Sequence, residues 1–170
     1  MANLLSIDEK LKKFDKKISV SGDKSISIRW VLFASLASGL SKAQNLLISG
    51  DVLAAINTVR KFGIKVSIKK KFCKIYGKGI DGFKFKNNLI LNAENSGTLG
   101  RLILGFLVNT PTPIKLVGDK SLSKRDFKRI SDPLSKFGAI LKLKNKKNLP
   151  LTIRGSKDLK PIRYLEEKGS

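Results

Sequence analysis

The chain has no histidine among its 170 residues. That excludes a Ser-His nucleophile pair, a histidine general base and a zinc–histidine site together. It has one cysteine, Cys73, too few for an internal disulfide or a multi-cysteine metal site. Cys73 lies in an alternating stretch, Phe72-Cys73-Lys74-Ile75-Tyr76, and is expected to pack as a small buried hydrophobe. No apolar run reaches the roughly 18 residues of a membrane span; the longest candidate, 26–40, is interrupted by Ser27, Arg29 and Ser35. Residues 1–17 mix Asp8, Glu9 and Asp15 with lysines and lack the apolar core of a signal peptide, so the expectation is a cytoplasmic protein with no membrane association. Acidic residues are scarce as well, 13 against 35 Lys and Arg, for a net charge of +22. Chemistry here falls to lysine, arginine, the few carboxylates or backbone amides.

What is present fits a folded globular chain. Hydrophobic residues make up 41%, and the length suffices to bury a core. The positive charge invites either a nucleic acid or small anionic ligands. The lysines are scattered, many at turns such as Lys69-Lys70-Lys71, and a coding bias would give the richness in Lys, Asn and Ile as readily as a selected partner would. Charge alone does not choose.

The chain repeats itself. Lys61-Phe62-Gly63 is echoed by Lys136-Phe137-Gly138, each ending a helix-like stretch with glycine suited to the left-handed position after a helix. Each glycine is followed by a lysine-rich hairpin, 64–68 with 72–76, then 140–143 with 149–153. Upstream, strand 18–20, helix 25–38, strand 43–47 and helix 51–62 are matched by strand 89–92, helix 98–109, strand 114–117 and helix 126–137. The fold class is therefore α/β (α+β), built of repeated βαβαββ units at 17–79 and 88–155. Stacked units of this kind each need a neighbour to close a core. Residues 156–170 are expected to begin a third, incomplete unit, as though the array were truncated.

Three glycine-bearing turns are expected where a strand hands over to a helix: Gly22 to Arg29, Asn95 to Arg101, and Gly118 to Arg125. A helix N-terminus offers unpaired N–H groups and partial positive charge to an anion. Glycine lets a ligand approach the backbone, and Lys or Arg adds countercharge. Each turn has a plainer reading, since Ser25, Ser121 or Asp119 is also an ordinary helix cap. The octets beginning at Gly22 and Gly118 are nearly identical yet open different helices of the repeat, so duplication does not explain their match. None of these turns has the glycine and lysine spacing of a nucleotide-binding loop.

These residues resemble the signatures of the EPSP synthase family. Ser21-Gly22-Asp23-Lys24-Ser25-Ile26-Ser27-Ile28-Arg29 is similar to its first motif, Asn95-Ser96-Gly97-Thr98-Leu99-Gly100-Arg101 to its second, and Gly118 to Arg125 to its third. The departures are Ser21 for Pro, Ile28 for His or Asn, Trp30 for a small residue, Glu94 for Gly, and Asp126 for Pro. Ile28 and Glu94 stand beside expected ligands. The resemblance implies transfer of the enolpyruvyl group of phosphoenolpyruvate to the 5-hydroxyl of shikimate 3-phosphate, by addition and elimination, with no metal and no organic cofactor. It implies that Lys24 touches both substrates, that Ser25 and Arg29 hold shikimate 3-phosphate, and that Gly97 and Arg125 hold phosphoenolpyruvate. Asn95, Thr98 and Arg101 would shape the second turn, and Ser170 would open a further phosphate motif. It also implies a C-terminal domain carrying the acid/base carboxylates, so that this chain, as an N-terminal portion, is expected to be inactive alone.

Rival readings are a UDP-sugar enolpyruvyl transferase, disfavoured because that signature has Lys-Asn where this chain has Lys24-Ser25, a basic nucleic-acid-binding module, and a folded inactive remnant. The 7% aromatic content, and the lack of a recognisable aromatic-studded strand or helix-turn-helix, argue against the nucleic-acid module.

Overall fold

The computed structural model describes residues 15–165 together with Ser6, Asp8 and Lys13. Helix α1 (Lys24–Leu36) begins where the Asp23 carboxylate accepts the Ile26 N–H at 2.7 Å, an N-cap that satisfies one of the orphan donors. Ile28, Val31, Leu32 and Ser35 recur at helical spacing, and all are buried. Helix α2 (Gly50–Lys61) buries Val52, Ala55, Ile56 and Val59, with Asp51 in its first turn and Arg60 and Lys61 in its last, each of the sign its helix end favours. Gly63 follows at φ +82°, the left-handed close expected of it.

The strands β1 (Ser38–Ala43), β2 (Lys65–Lys69) and β3 (Phe72–Lys78) form an antiparallel sheet in the order β1-β3-β2. The second unit contributes β4 (Ile90–Asn92), α3 (Gly97–Phe106), β5 (Ile114–Val117), α4 (Lys128–Phe137), β6 (Ile140–Lys144) and β7 (Asn148–Arg154). Its sheet runs β4-β5-β7-β6, with β4 parallel to β5 and the other pairs antiparallel. The sheets bury Cys73 and Ile75 from one unit and Leu116, Leu151 and Ile153 from the other. Helix α1 packs on α2, α3 and β3, so one apolar core runs through both units.

Three expectations need correction. Residues 18–20 form no strand, and Ile18 and Val20 are 71% and 68% exposed. In the second sheet β4 sits beside β5 with Leu91 fully buried. Residues 18–20 bury nothing comparable, so no apolar gain offsets the entropy of ordering them. The strand expected at 43–47 lies instead at 38–43, an edge strand whose mostly exposed Ser-Gly-Leu-Ser-Lys-Ala gives no alternation to read. The chain leaves it through Asn45 at φ +56°. The third glycine turn opens a short 3-10 helix, 122–124, rather than α4. Residues 156–165 have neither strand nor helix. They are tied back by the Ser156 N–H to the Val108 carbonyl at 2.8 Å and the Lys160 N–H to the Phe137 carbonyl at 2.9 Å.

Candidate functional site

The first turn is closed by its own polar groups. Besides the Asp23 cap, the Ser27 hydroxyl donates to the Asp23 carbonyl at 2.6 Å and accepts the Leu47 N–H at 3.1 Å, which fastens the start of α1 to the chain leading into α2. Gly22 is required here, because a Cβ would collide with the Asn45 carbonyl oxygen. Lys24 is exposed and pairs with Asp51 at 3.1 Å. Ser25 is half-buried, and Arg29, just over one turn on, reaches the hollow described below.

The second and third turns are fastened to each other. The Asp119 N–H donates to the Glu94 carbonyl at 2.8 Å, and the Asn95 amide donates to the Asp119 carboxylate at 2.6 Å. The other carboxylate oxygen of Asp119 accepts the Leu122 N–H at 2.6 Å. The Asn95 amide, then the Leu122 N–H, hold the Asp119 carboxyl below its ordinary value, because they bond the charged form. Asn95 is thus a strut between turns, and Asp119 is a cap.

At the start of α3 the Ser96 hydroxyl accepts the Leu99 N–H at 3.2 Å. The next residue, Gly97, is buried between two guanidiniums: a Cβ there would lie 2.8 Å from Arg101 Nη1 and 3.0 Å from Arg125 Nη1. Arg101 donates to the carbonyls of Gly97 at 3.5 Å and Asp126 at 3.1 Å and lies over the Phe127 ring at 5.2 Å. Burial first, then the charges of Arg125 and Arg129, pull Arg101 below its ordinary value, with Asp126 opposing them. Among the described residues neither Arg101 nor Arg125 forms an ion pair. A helix N-terminus with a neutral cap, flanked by cations that repel one another, favours an anion.

Two hollows flank this point. One of about 650 Å³ is lined by Arg29, Gly97, Thr98, Arg101 and Arg129 among others. The other, about 560 Å³, is lined by Asp119, Lys120, Ser121, Lys124 and Arg125. The fold therefore gathers Arg29, Gly97, Thr98 and Arg101 in one hollow and sets Arg125 at its border, against Gly97. Lys24 and Ser25 line neither hollow, and Ser170 lies outside the described residues. Sequence reading missed Asp51, which holds Lys24, and Arg129. Arg129 stands four residues after Arg125, a spacing that was visible, but Asp51 reaches Lys24 only through the packing of α1 on α2. Ile28, expected beside the ligands, is fully buried in the core and acts in packing. Glu94 has φ +50°, a left-handed backbone that glycine adopts more readily than glutamate. Among the described residues no group of three His, Cys, Asp or Glu is placed to hold a metal ion.

A family model for EPSP synthase (3-phosphoshikimate 1-carboxyvinyltransferase) matches residues 9–170. A 3-phosphoshikimate 1-carboxyvinyltransferase of Sulfurihydrogenibium sp. (strain YO3AOP1) is 42% identical over 95% of this chain and 37% of its own length. One from Streptococcus mutans is 41% identical over 86% of this chain and 34% of its own. The solved structure of EPSP synthase from Acinetobacter baumannii superposes with a TM-score of 0.82 at 35% identity, covering 88% of this chain and 34% of that one. The chain thus spans about a third of the length of the relatives it matches.

Proposed function

The chain belongs to the EPSP synthase family, and from that premise we propose that it supplies part of the substrate site for enolpyruvyl transfer from phosphoenolpyruvate to the 5-hydroxyl of shikimate 3-phosphate. The transfer releases inorganic phosphate. The carrying observation is Gly97, whose backbone at the start of α3 lies between the guanidiniums of Arg101 and Arg125. There the backbone N–H groups and the Arg125 fork would hold phosphoenolpyruvate, whose carboxylate and phosphate both match guanidinium geometry. Arg29 and Ser25 would hold shikimate 3-phosphate, and Lys24, once released from Asp51, would lie between the two anions and lessen their repulsion. Thr98 and Arg101 support the turn. No helix among the described residues is long and apolar enough to cross a membrane, and a cytoplasmic setting forms part of the same proposal. Because the chain spans about a third of its relatives, the transfer itself is proposed for the family's complete architecture, and for this chain a share of its binding site.

Calorimetric titration of the 170-residue chain with shikimate 3-phosphate tests the reading. We expect saturable heat that weakens at least tenfold in both Lys24→Ala and Arg29→Ala, as loss of a charge-assisted contact predicts. Equal binding by both variants, or none at millimolar ligand, would overturn the assignment of these residues to a formed site.

A further inference from the structure

The outer face of the first sheet carries a pattern that the enolpyruvyl site does not use. Strand β3 turns Cys73 and Ile75 into the core and therefore turns Phe72, Lys74 and Tyr76 outward. The register sets Lys69 beside Phe72 and Lys65 beside Tyr76 on one flank, and Lys42 beside Lys74 on the other. Lys65 Nζ lies 5.3 Å from the Tyr76 ring centroid and Lys74 Nζ 5.7 Å from that of Phe72. A hollow of about 290 Å³ lies at this face, lined by Ser67, Lys69, Phe72 and Lys74. No acid offsets these charges from within the sheet: between Asp23 and Asp81 the sequence has only Asp51, which is paired with Lys24.

We propose that this face binds single-stranded nucleic acid, with bases stacked on Phe72 and Tyr76 and phosphates held by Lys42, Lys65, Lys69 and Lys74. Four residues apart on one strand, the two rings stand about 13 Å from each other. They can take two bases of one extended strand, and a paired duplex cannot present its bases to them. Stacking on aromatic rings tolerates any base, and lysines alongside supply sequence-independent charge. The ammonium groups now over the rings would move to the backbone phosphates as bases take their place. The low aromatic content argued against such a module. The register supports the opposite reading, because strand pairing collects lysines around the two rings. The second sheet is an internal control. Its outer face carries Lys115, Lys142, Lys144 and Arg154 but no aromatic side chain.

Fluorescence anisotropy of the 170-residue chain with labelled oligouridine, oligodeoxythymidine and a duplex of equal length tests the proposal. Both single strands are expected to bind more tightly than the duplex, and their relative affinities show whether RNA or DNA is preferred. Log affinity should fall with log salt at about 0.7 per phosphate neutralised. The double variant Phe72→Ala/Tyr76→Ala should lose about tenfold, while Phe72→Tyr/Tyr76→Phe should bind as the parent does. Lys69→Glu/Lys74→Glu should weaken binding more than Lys142→Glu/Lys144→Glu, a comparison that does not depend on removing the rings. Lys24→Ala and Arg125→Ala should leave it unchanged, which separates this surface from the enolpyruvyl site. Wild-type affinity in a folded double alanine variant, or equal losses from the charge swaps on the two sheets, overturns the proposal.

Discussion

The two units start their first helices in the same way and use those starts differently. At α1 the cap is a carboxylate, Asp23, which brings a negative charge to the helix N-terminus. At α3 the cap is the neutral, fully buried Ser96. The lysine beside the first cap is paired with Asp51, whereas Arg101 and Arg125, which flank Gly97, repel one another and form no ion pair among the described residues. Equivalent backbone geometry thus yields one terminus whose charge is already answered and one whose charge is open. A helix N-terminus is an anion site only so far as its own cap and neighbours leave it unsatisfied.

The strongest way to break this comparison is to add a methyl group at each glycine. Gly22→Ala drives a Cβ into the backbone at Asn45 and Leu47. Backbone does not yield as a side chain does, so denaturant unfolding should show a loss of about 1–3 kcal/mol. Gly97→Ala meets instead the ends of two arginines, which can move. It should keep most of the stability and lose anion affinity, about tenfold or more in a phosphate titration. If both substitutions simply unfold the chain, the two termini do not differ in the way described.

A smaller effect should follow from releasing Lys24. Asp51→Asn removes the carboxylate that occupies it, and phosphate affinity should rise about twofold to fivefold, the range of an exposed ion pair. Lys24 is about half exposed, so no larger change is expected. A fall in affinity would mean that Asp51 positions Lys24 for the ligand rather than competing with it.

The smallest effect concerns pH. Asp119, which joins the second and third turns, is held below its ordinary value of 3.8 by the Asn95 amide and the Leu122 N–H. A carboxyl depressed by folding stabilises the fold above its unfolded value and loses that contribution as pH falls through the folded one. The thermal midpoint should therefore decline as pH is lowered below about 3.8, and Asp119→Asn should flatten that decline. Because Asp119 is fully exposed, the change will be slight.

Much of the second unit was legible before the structure. Strand β5, the hairpin β6–β7 and the glycine end of α4 follow local rules: alternation, helical periodicity, and glycine where φ turns positive. Less of the first unit was. Residues 18–20 alternate as a strand does, but strand formation needs a neighbour and a buried side, and neither is encoded within three residues. The edge strand β1 escaped notice for the opposite reason, since a surface strand made of Ser, Gly and Lys carries no apolar alternation. In the candidate site, Lys24, Arg29, Gly97 and Arg125 stood out through their motifs, whereas Asp51 and Arg129 did not.

By itself the sequence determined the repeat, the family, the glycines at the turns and the cations near them, because each depends on residues close together in the chain. Only the tertiary structure decided which cations are taken and which are open. That depends on partners distant in sequence, Asp51 for Lys24, Asn95 for Asp119, and Arg101 with Arg125 around Gly97. Packing sets those distances, and electrostatic interaction follows distance and burial rather than order along the chain.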